Sequence, residues 1–137
     1  MRKDLRRSDV DTFEKLSGQM LSLHEEISLL SRKNPNDAVN KFKLKFINKL
    51  ITESNLLLSD KYLPFTDFEA FDEDDIPQTS DIVLILSQYL QCFEKFRSDH
   101  ITPDRGAWYW KVKGTPDDIA GKDGLVSIRT SAPKKLR

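Results

Sequence analysis

The sequence contains very little of several residue types, and each shortage excludes a class of structure or chemistry. Its 137 residues include a single cysteine, Cys92, which excludes an intramolecular disulfide and any metal site built from several cysteines. A lone thiol suits a reducing compartment, and we therefore predict a cytoplasmic protein. The longest apolar run, residues 82–86, is far shorter than the stretch of about 20 residues that crosses a bilayer, so we predict no membrane span.

Histidine is also scarce, which limits proton-transfer chemistry near neutral pH. The chain has two histidines, His24 and His100, and the sequence places no evident catalytic helper beside either. Arg97 and His100 together are similar to the arginine and histidine motif of the HEPN ribonucleases, although that motif separates the two residues more widely. The resemblance implies a helical RNA-cleaving domain, which we keep as a third hypothesis. The residues by themselves predict no catalytic site and no cofactor.

Positive and negative charges balance over the chain but are separated along it. Lysine and arginine together number 22, as do aspartate and glutamate, so the net charge is zero. Basic residues are concentrated at the start and in residues 122–137, whereas residues 60–81 are strongly acidic. A neutral chain has no bulk attraction to a polyanion, so nucleic acid or an acidic partner has to be recognised by a local patch.

Glycine and proline are rare before residue 100 and frequent after it, which divides the chain into two parts. We predict a mainly α fold, a three-helix or four-helix bundle followed by a C-terminal β-hairpin or extended tail. The helical bundle domain is assigned to residues 1–101 and contains an acidic and aromatic connection at residues 59–78. Residues 102–137 form the hairpin and a basic tail, packed on the same domain.

The first helix is predicted to begin after Ser8, whose hydroxyl is suited to capping, and to end at residues 34–36, where Pro35 interrupts helical geometry. Its apolar residues recur at steps of three and four, which places them on one seam. The seam residues are Phe13, Leu16, Met20, Leu23, Ile27 and Leu30. The same seam would serve a homo-oligomeric coiled coil, so the oligomeric state stays open.

Two further helices and two strands follow from the same periodicities. The second helix is predicted at about residues 37–58, and its inward residues are Val39, Phe42, Phe46, Leu50 and Leu57, with Ile47 and Ile51 widening the stripe. The third helix opens at residues 79–81 and runs to about Asp99, and its inner residues are Ile82, Leu86, Tyr89, Phe93 and Phe96. Residues 107–112 and 124–130 are β-like and are predicted to pair as a hairpin.

The acidic connection combines carboxylates with aromatic side chains, a mixture that is unusual for a free loop. Phe65, Phe68 and Phe71 are predicted to lie on the helices, while acidic residues such as Asp72 and Asp74 face the solvent. An EF-hand loop fails in both possible registers, because the required glycine and glutamate are missing, and we predict no metal site. The connection is then either a solvated cover or a docking surface for a basic partner.

The function that the sequence favours is that of a non-catalytic adaptor or assembly subunit, because no candidate catalytic group has its partner. The predicted partner-binding residues combine types that are enriched in protein interfaces. They are Trp108, Tyr109, Trp110, Lys111 and Lys113 of the C-terminal segment, and Phe68, Phe71, Asp72 and Asp74 of the acidic connection.

The alternative function is a nucleic-acid-binding module that uses a row of lysines together with the basic termini. Lysines spaced four apart lie on one side of a helix and can follow a phosphate backbone, and flexible basic arms often add to such a grip. The residues in question are Lys41, Lys45 and Lys49 of the second helix, and Arg129, Lys134 and Lys135 of the tail.

Overall fold

The computed structural model describes residues 5–114 and 125–134, which form three helices followed by three strands. In chain order these elements are α1 (Arg7–Lys33), α2 (Lys41–Tyr62), α3 (Thr79–His100), β1 (Ile101–Asp104), β2 (Ala107–Lys113) and β3 (Leu125–Thr130). The fold is therefore mainly α with an antiparallel strand region. Most of the predicted turn segment between the last two strands, the first basic residues and Lys135 lie outside the described residues.

Helix α1 follows its predicted seam as far as Ile27, whereas Leu30, which was predicted to belong to it, is 38% exposed near the end of the helix. Phe13, Leu16 and Met20 are buried, and the helix stops at Asn34, directly before Pro35. Capping differs from the prediction: the helix starts at Arg7, and the side chain of Asp9 accepts a hydrogen bond of 2.8 Å from the backbone N–H of Arg6. Ser8 therefore lies inside the first turn and is not the cap.

Helix α2 buries Ile47, Leu50 and Ile51 as predicted, but two other residues of its predicted inner stripe lie outside the core. Phe42 and Phe46 are 71% and 54% exposed, so the prediction that they point inward is wrong. The buried apolar side chains of this helix are Leu44, Ile47, Leu50, Ile51, Leu58 and Tyr62. Both stripes repeat at steps of three and four, but the aliphatic stripe continues through more turns and therefore packs on the neighbouring helices.

The ends of α2 also differ from the sequence boundaries. The helix begins at Lys41, because the side chain of Asn40 caps it by accepting a 2.8 Å hydrogen bond from the backbone N–H of Lys43. It continues past the predicted end to Tyr62, through a kink at Ser59, whose φ of 56° lies in the left-handed region. The kink redirects the chain toward the connection that leads to α3.

Helix α3 matches its prediction in bounds and in inner stripe. Its inner residues are all buried: Ile82, Leu86, Tyr89, Phe93 and Phe96. Its N-terminus lies on the turn between α1 and α2, where the backbone N–H of Thr79 donates to the carbonyl of Asp37 at 2.9 Å. The Thr79 hydroxyl also donates to the carbonyl of Asn34 at 3.0 Å. These bonds hold the start of α3 against the α1–α2 connection.

The three strands form one antiparallel sheet in the order β1, β2, β3. The predicted pairing of β2 with β3 is confirmed, with Trp110 opposite Ile128. The sequence did not reveal β1, because Pro103 lowers strand propensity; as an edge strand, β1 tolerates it. A tight turn joins β1 to β2, and its residues Arg105 and Gly106 both have positive φ, as this hairpin turn requires.

One hydrophobic core joins the sheet to the helices. The Trp110 ring of β2 is completely buried, and its centre lies 5.1 Å from Phe13 of α1 and 6.4 Å from Phe96 of α3. Phe13 also stacks on Phe96 at 5.8 Å and meets Phe93 edge-on at 5.6 Å. Such aromatic contacts add directional packing to the burial of apolar area.

Candidate functional site

The aromatic segment in β2 is divided between the two faces of the sheet. Successive side chains of a strand alternate in direction, so Trp108 and Trp110 face the helices while Tyr109 and Lys111 face outward. Trp110 is 0% exposed and therefore cannot contact a partner, which corrects the prediction for that residue. Trp108 is half-buried against the same core.

The outer face of the sheet gathers the polar members of the predicted set. Tyr109 lies opposite Arg129 in the strand register, and Lys111 lies opposite Ser127, to which its ammonium group donates a 2.8 Å hydrogen bond. Lys113 is exposed at the end of β2, and its backbone N–H donates to the carbonyl of Leu5 at 2.7 Å. This face therefore carries one phenol among three cationic side chains.

The connection between α2 and α3, residues 63–78, is an ordered strap. Phe68 and Phe71 are half-buried and pack against the core, with their ring centres 5.1 Å apart. Phe65 meets Phe68 edge-on at 6.2 Å. Asp72 and Asp74 are exposed, and Asp72 accepts a 2.8 Å hydrogen bond from the backbone N–H of Asp74. The rings therefore lie toward the helices and the carboxylates toward solvent.

The side chain of Asn48 in α2 forms hydrogen bonds with the backbone of this strap. The amide of Asn48 donates to the carbonyl of Phe71 and accepts from the backbone N–H of Phe71, both at 2.9 Å. Paired hydrogen bonds of this kind reproduce the ladder of a short strand and satisfy both main-chain groups of one residue. The strap is thereby held in one position over α2.

A groove of about 600 Å³ lies between the strap and the start of α3. We call it the strap groove. Its apolar lining consists of Phe71, Ile76, Pro77, Leu84 and Ile85. Its acidic residues are Asp75 and Asp81, both exposed. Leu84 is 58% exposed at this site, so the groove offers apolar contact area and negative charge together.

The arginine of the proposed ribonuclease pair is occupied by structural hydrogen bonds. All five N–H donors of the buried Arg97 guanidinium have acceptors, two of them on the carboxylate of Glu94 at 2.9 and 2.8 Å. The others go to the hydroxyl of Thr130 at 3.0 Å and to the carbonyls of Ser131 and Ala132 at 2.6 and 2.8 Å. Arg97 thus attaches the segment after β3 to α3, leaving no donor for a phosphate.

The histidine of the same pair is also part of the core. His100 is 7% exposed, and its Nδ1 lies 2.6 Å from the carbonyl oxygen of Phe96. Since a carbonyl only accepts, Nδ1 carries the proton and donates it. The imidazole also packs beside the rings of Phe96 and Tyr62, at centre distances of 4.5 and 5.9 Å. Nδ1 therefore holds the imidazole in place through this hydrogen bond and cannot act as a base.

The lysine row and the basic tail residues lie on different elements. Lys41, Lys45 and Lys49 are exposed on α2, as the sequence predicts. Arg129 and Lys134 are exposed in β3 and just after it, on the segment that Arg97 attaches to α3. The lysine row and the basic tail residues therefore lie on separate elements of the fold.

The surface residues that sequence reasoning missed include Leu84 of the strap groove and the exposed apolar side chains of α2. Phe42 and Phe46 were assigned to the core, and Leu56, which is 81% exposed, was not singled out. The two phenylalanine rings contact each other edge-on with centres 4.9 Å apart. The aliphatic stripe of the same helix could have revealed this, because it supplies enough apolar residues to face the core without either phenylalanine.

Metal ligands, membrane-spanning helices and similarity to known proteins give no indication of function in the described part of the chain. In residues 5–114 and 125–134 no cluster of three histidine, cysteine, aspartate or glutamate side chains could hold a metal ion. None of the described helices combines the length and the apolar character needed to cross a membrane. Comparison with protein families, with curated proteins and with solved structures finds no match to the chain.

Proposed function

We propose that the chain is a non-catalytic adaptor or assembly subunit that binds a basic, partly apolar segment of another protein in the strap groove. The observation that supports this most directly is the exposed Leu84 beside Ile76 and Phe71, within a surface that carries Asp75 and Asp81. Apolar anchors surrounded by charge are the usual anatomy of a protein interface. The charge selects a basic partner and accelerates the encounter with it.

The attachment of the strap supports binding without prior rearrangement. Asn48 holds Phe71 through two hydrogen bonds, so one wall of the groove is ordered before a partner arrives. A preformed site avoids the conformational entropy that a disordered loop loses when it binds. The run of exposed carboxylates at residues 72–75 extends the negative surface beyond the groove itself.

The candidate catalytic groups support a non-catalytic role, because each is engaged in structure. The donors of Arg97 are saturated, and Nδ1 of His100 donates to a backbone carbonyl. Burial raises the pKa of the Cys92 thiol above its ordinary value of 9.0, so the reactive thiolate is disfavoured. We further propose that the three helices form a bundle that serves as the scaffold. We also propose a cytoplasmic location, because a reducing compartment keeps a free thiol such as Cys92 unoxidised.

Peptide binding tests the proposal. The probe is a fluorescent helical peptide of leucine and lysine, and a leucine and glutamate peptide of the same spacing serves as its control. We expect only the lysine peptide to bind. The exchange of Asp75 and Asp81 for lysine should weaken its binding about tenfold, because attraction becomes repulsion at two positions. Asp11→Lys, an exposed change on α1, is the matched control and should bind like the unaltered protein.

Two results would contradict the strap groove as the site. One is equal affinity for the lysine and the glutamate peptides. The other is equal loss of binding in the groove variant and in the Asp11→Lys control. The Leu84→Ser substitution separates apolar from electrostatic binding, since it removes the exposed anchor while leaving every charge in place.

Nucleic-acid binding is the second candidate, favoured by the outer face of the sheet. There Tyr109 pairs with Arg129, and Lys111 and Lys113 follow on the same side of β2. Single strands are bound by such combinations of stacking and cationic side chains. A labelled single-stranded oligonucleotide in the same assay distinguishes the two functions: tight binding that falls steeply with salt would favour this second function over the first.

A further inference from the structure

The outer face of α2 carries a second regular seam that no described part of the chain covers. The residues of this outer seam are Phe42, Phe46, Lys49, Glu53 and Leu56. They recur at steps of four, three, four and three, which is the spacing of the contact positions in a coiled coil. The core uses a different stripe of the same helix, so this seam is additional to the one that folds the domain.

The apolar members of the outer seam are well exposed. Phe42, Phe46 and Leu56 are 71%, 54% and 81% exposed, and the two phenylalanines form one edge-to-face pair. Phe46 also lines a groove of about 370 Å³ between α2 and α1, together with Leu23 and Leu50. Grouped exposed apolar side chains on a soluble domain indicate an interaction surface.

The middle of the outer seam is self-complementary in charge, and this fixes the orientation in which a second copy fits it. Lys49 and Glu53 lie between the apolar residues, with opposite charges one helical turn apart. In a parallel pair of α2 helices, equivalent positions meet, so Lys49 would face lysine and Glu53 would face glutamate. In an antiparallel pair centred between them, Lys49 faces Glu53 of the second copy, and Phe46 faces Leu56 of the second copy.

We propose that α2 packs antiparallel against α2 of a second copy of this chain, forming a two-fold dimer through the outer seam. The two-fold axis makes each contact occur twice, as in any isologous interface. Leu56 of the second copy lies opposite Phe46, at the mouth of the groove shared with Leu23. The kink at Ser59 ends the straight part of the helix just after Leu56, so the paired stretch runs from Phe46 to Leu56 and Phe42 lies just outside it.

This surface is separate from the strap groove. Asn48, which holds the strap, lies about a third of a turn around α2 from Phe42. The dimer therefore leaves the acidic groove open, and the inference does not depend on the proposed function.

Sedimentation velocity over a range of protein concentrations tests the dimer. The unaltered chain should shift with concentration from its monomer mass of 15.9 kDa toward twice that mass. Lys49→Glu places two carboxylates opposite each other at both symmetry-related contacts and should weaken the dimer about tenfold. Lys49→Glu combined with Glu53→Lys exchanges the charges and should restore it. Lys33→Glu, an exposed change at the end of α1, should have no effect.

A further variant tests the apolar contact, and thermal unfolding checks that each variant is folded. Phe46→Asp should abolish the dimer, and at concentrations where the unaltered chain is monomeric it should leave the melting temperature unchanged, because the side chain it replaces is more than half exposed. A monomer at every concentration would overturn the inference and leave the outer seam to a partner of different sequence. A dimer that is unaffected by Phe46→Asp, or that the double charge exchange does not restore, would overturn it equally.

Discussion

The fold strongly perturbs the ionisation of Tyr89. Its ring is completely buried in α3, and its hydroxyl donates a 2.5 Å hydrogen bond to the side chain of Asn55. Burial raises the pKa of Tyr89 from 10.0 to about 12, although the bond to Asn55 acts in the opposite direction. The neighbouring Cys92 adds a smaller upward contribution to this pKa.

A spectrophotometric alkaline titration should detect this perturbed phenol. The chain has three tyrosines, and we expect one of them to ionise with a pKa of about 12 while the protein is folded. Because the folded pKa is raised, the stabilisation from neutral Tyr89 is complete below pH 10 and is lost as pH rises toward 12. Tyr89→Phe should remove the late step, and its persistence in that variant would show that the assignment is wrong.

For Asp99, which lies at the surface, hydrogen bonds outweigh the effect of burial on the pKa. Partial burial raises its pKa, but hydrogen bonds from Tyr62 at 2.9 Å and from Lys95 at 3.2 Å lower it more, helped by nearby positive charge. The pKa of Asp99 therefore lies below its ordinary value of 3.8. Its contribution to stability is present above that pH and is lost only under strongly acidic conditions. These bonds link the end of α3 to Tyr62 at the end of α2.

At the scale of elements, Asn48 reinforces the packing of the strap by hydrogen-bonding its backbone. Asn48 satisfies the backbone N–H and carbonyl of Phe71, so removing its amide leaves two partly buried main-chain groups without that partner. We expect Asn48→Ala to lower the free energy of unfolding by about 1–2 kcal/mol, measured by urea denaturation. Asn36→Ala is the matched control, because Asn36 is exposed in the turn after α1.

Limited chymotrypsin digestion provides an independent measure of the same effect. The enzyme cleaves after aromatic residues, and the strap contains Phe65, Phe68 and Phe71. Cleavage within the strap should be faster in Asn48→Ala than in Asn36→Ala or in the unaltered chain, because local opening no longer breaks those two bonds. Equal rates in all three proteins would mean that Asn48 does not hold the strap.

Side chains of α3 also hold the segment that follows β3. Arg97 and Glu94 form a nearly buried ion pair with an N to O distance of 2.8 Å, and the backbone N–H of Lys134 donates to Glu94 at 2.7 Å. A buried charge pair is tolerated when the remaining donors are also satisfied, as they are in Arg97. The extended segment after β3 therefore obtains side-chain partners in place of a neighbouring strand.

At the scale of the whole molecule, the helices and the sheet share one core, and we expect them to unfold together. Both tryptophans lie in β2, and Trp110 packs on Phe13 and Phe96 of two helices. Urea unfolding followed by tryptophan fluorescence should therefore have the same midpoint as unfolding followed by the helical circular dichroism signal. A fluorescence transition that precedes loss of helix would show that the sheet is a separate unit.

The described part of the molecule has three surfaces of different chemical character. The strap groove is acidic, the outer face of the sheet is basic, and the outer seam of α2 is apolar with a balanced centre. The zero net charge of the sequence conceals this division, because opposite charges cancel in the sum while remaining far apart along the chain. Distinct surfaces of this kind allow one small chain to contact more than one partner.

The sequence by itself determined the elements that have one unambiguous periodicity. The seam of α1 from Phe13 to Ile27 and the inner stripe of α3 were predicted because each helix has one dominant apolar stripe. The pairing of β2 with β3 was likewise predictable from β-rich runs separated by turn residues. The half-buried position of Phe68 and Phe71 followed from the unfavourable exposure of aromatic rings.

Only the tertiary structure decided the features that depend on competition or on distant partners. Helix α2 carries two stripes of equal period, and packing against α1 and α3 selected the aliphatic one, leaving Phe42 and Phe46 outside. Trp110 is buried because strand alternation points it at Phe13, which is distant in sequence. Three of the five bonds of Arg97 join residues more than thirty positions apart along the chain, and local periodicity carries no information about such contacts.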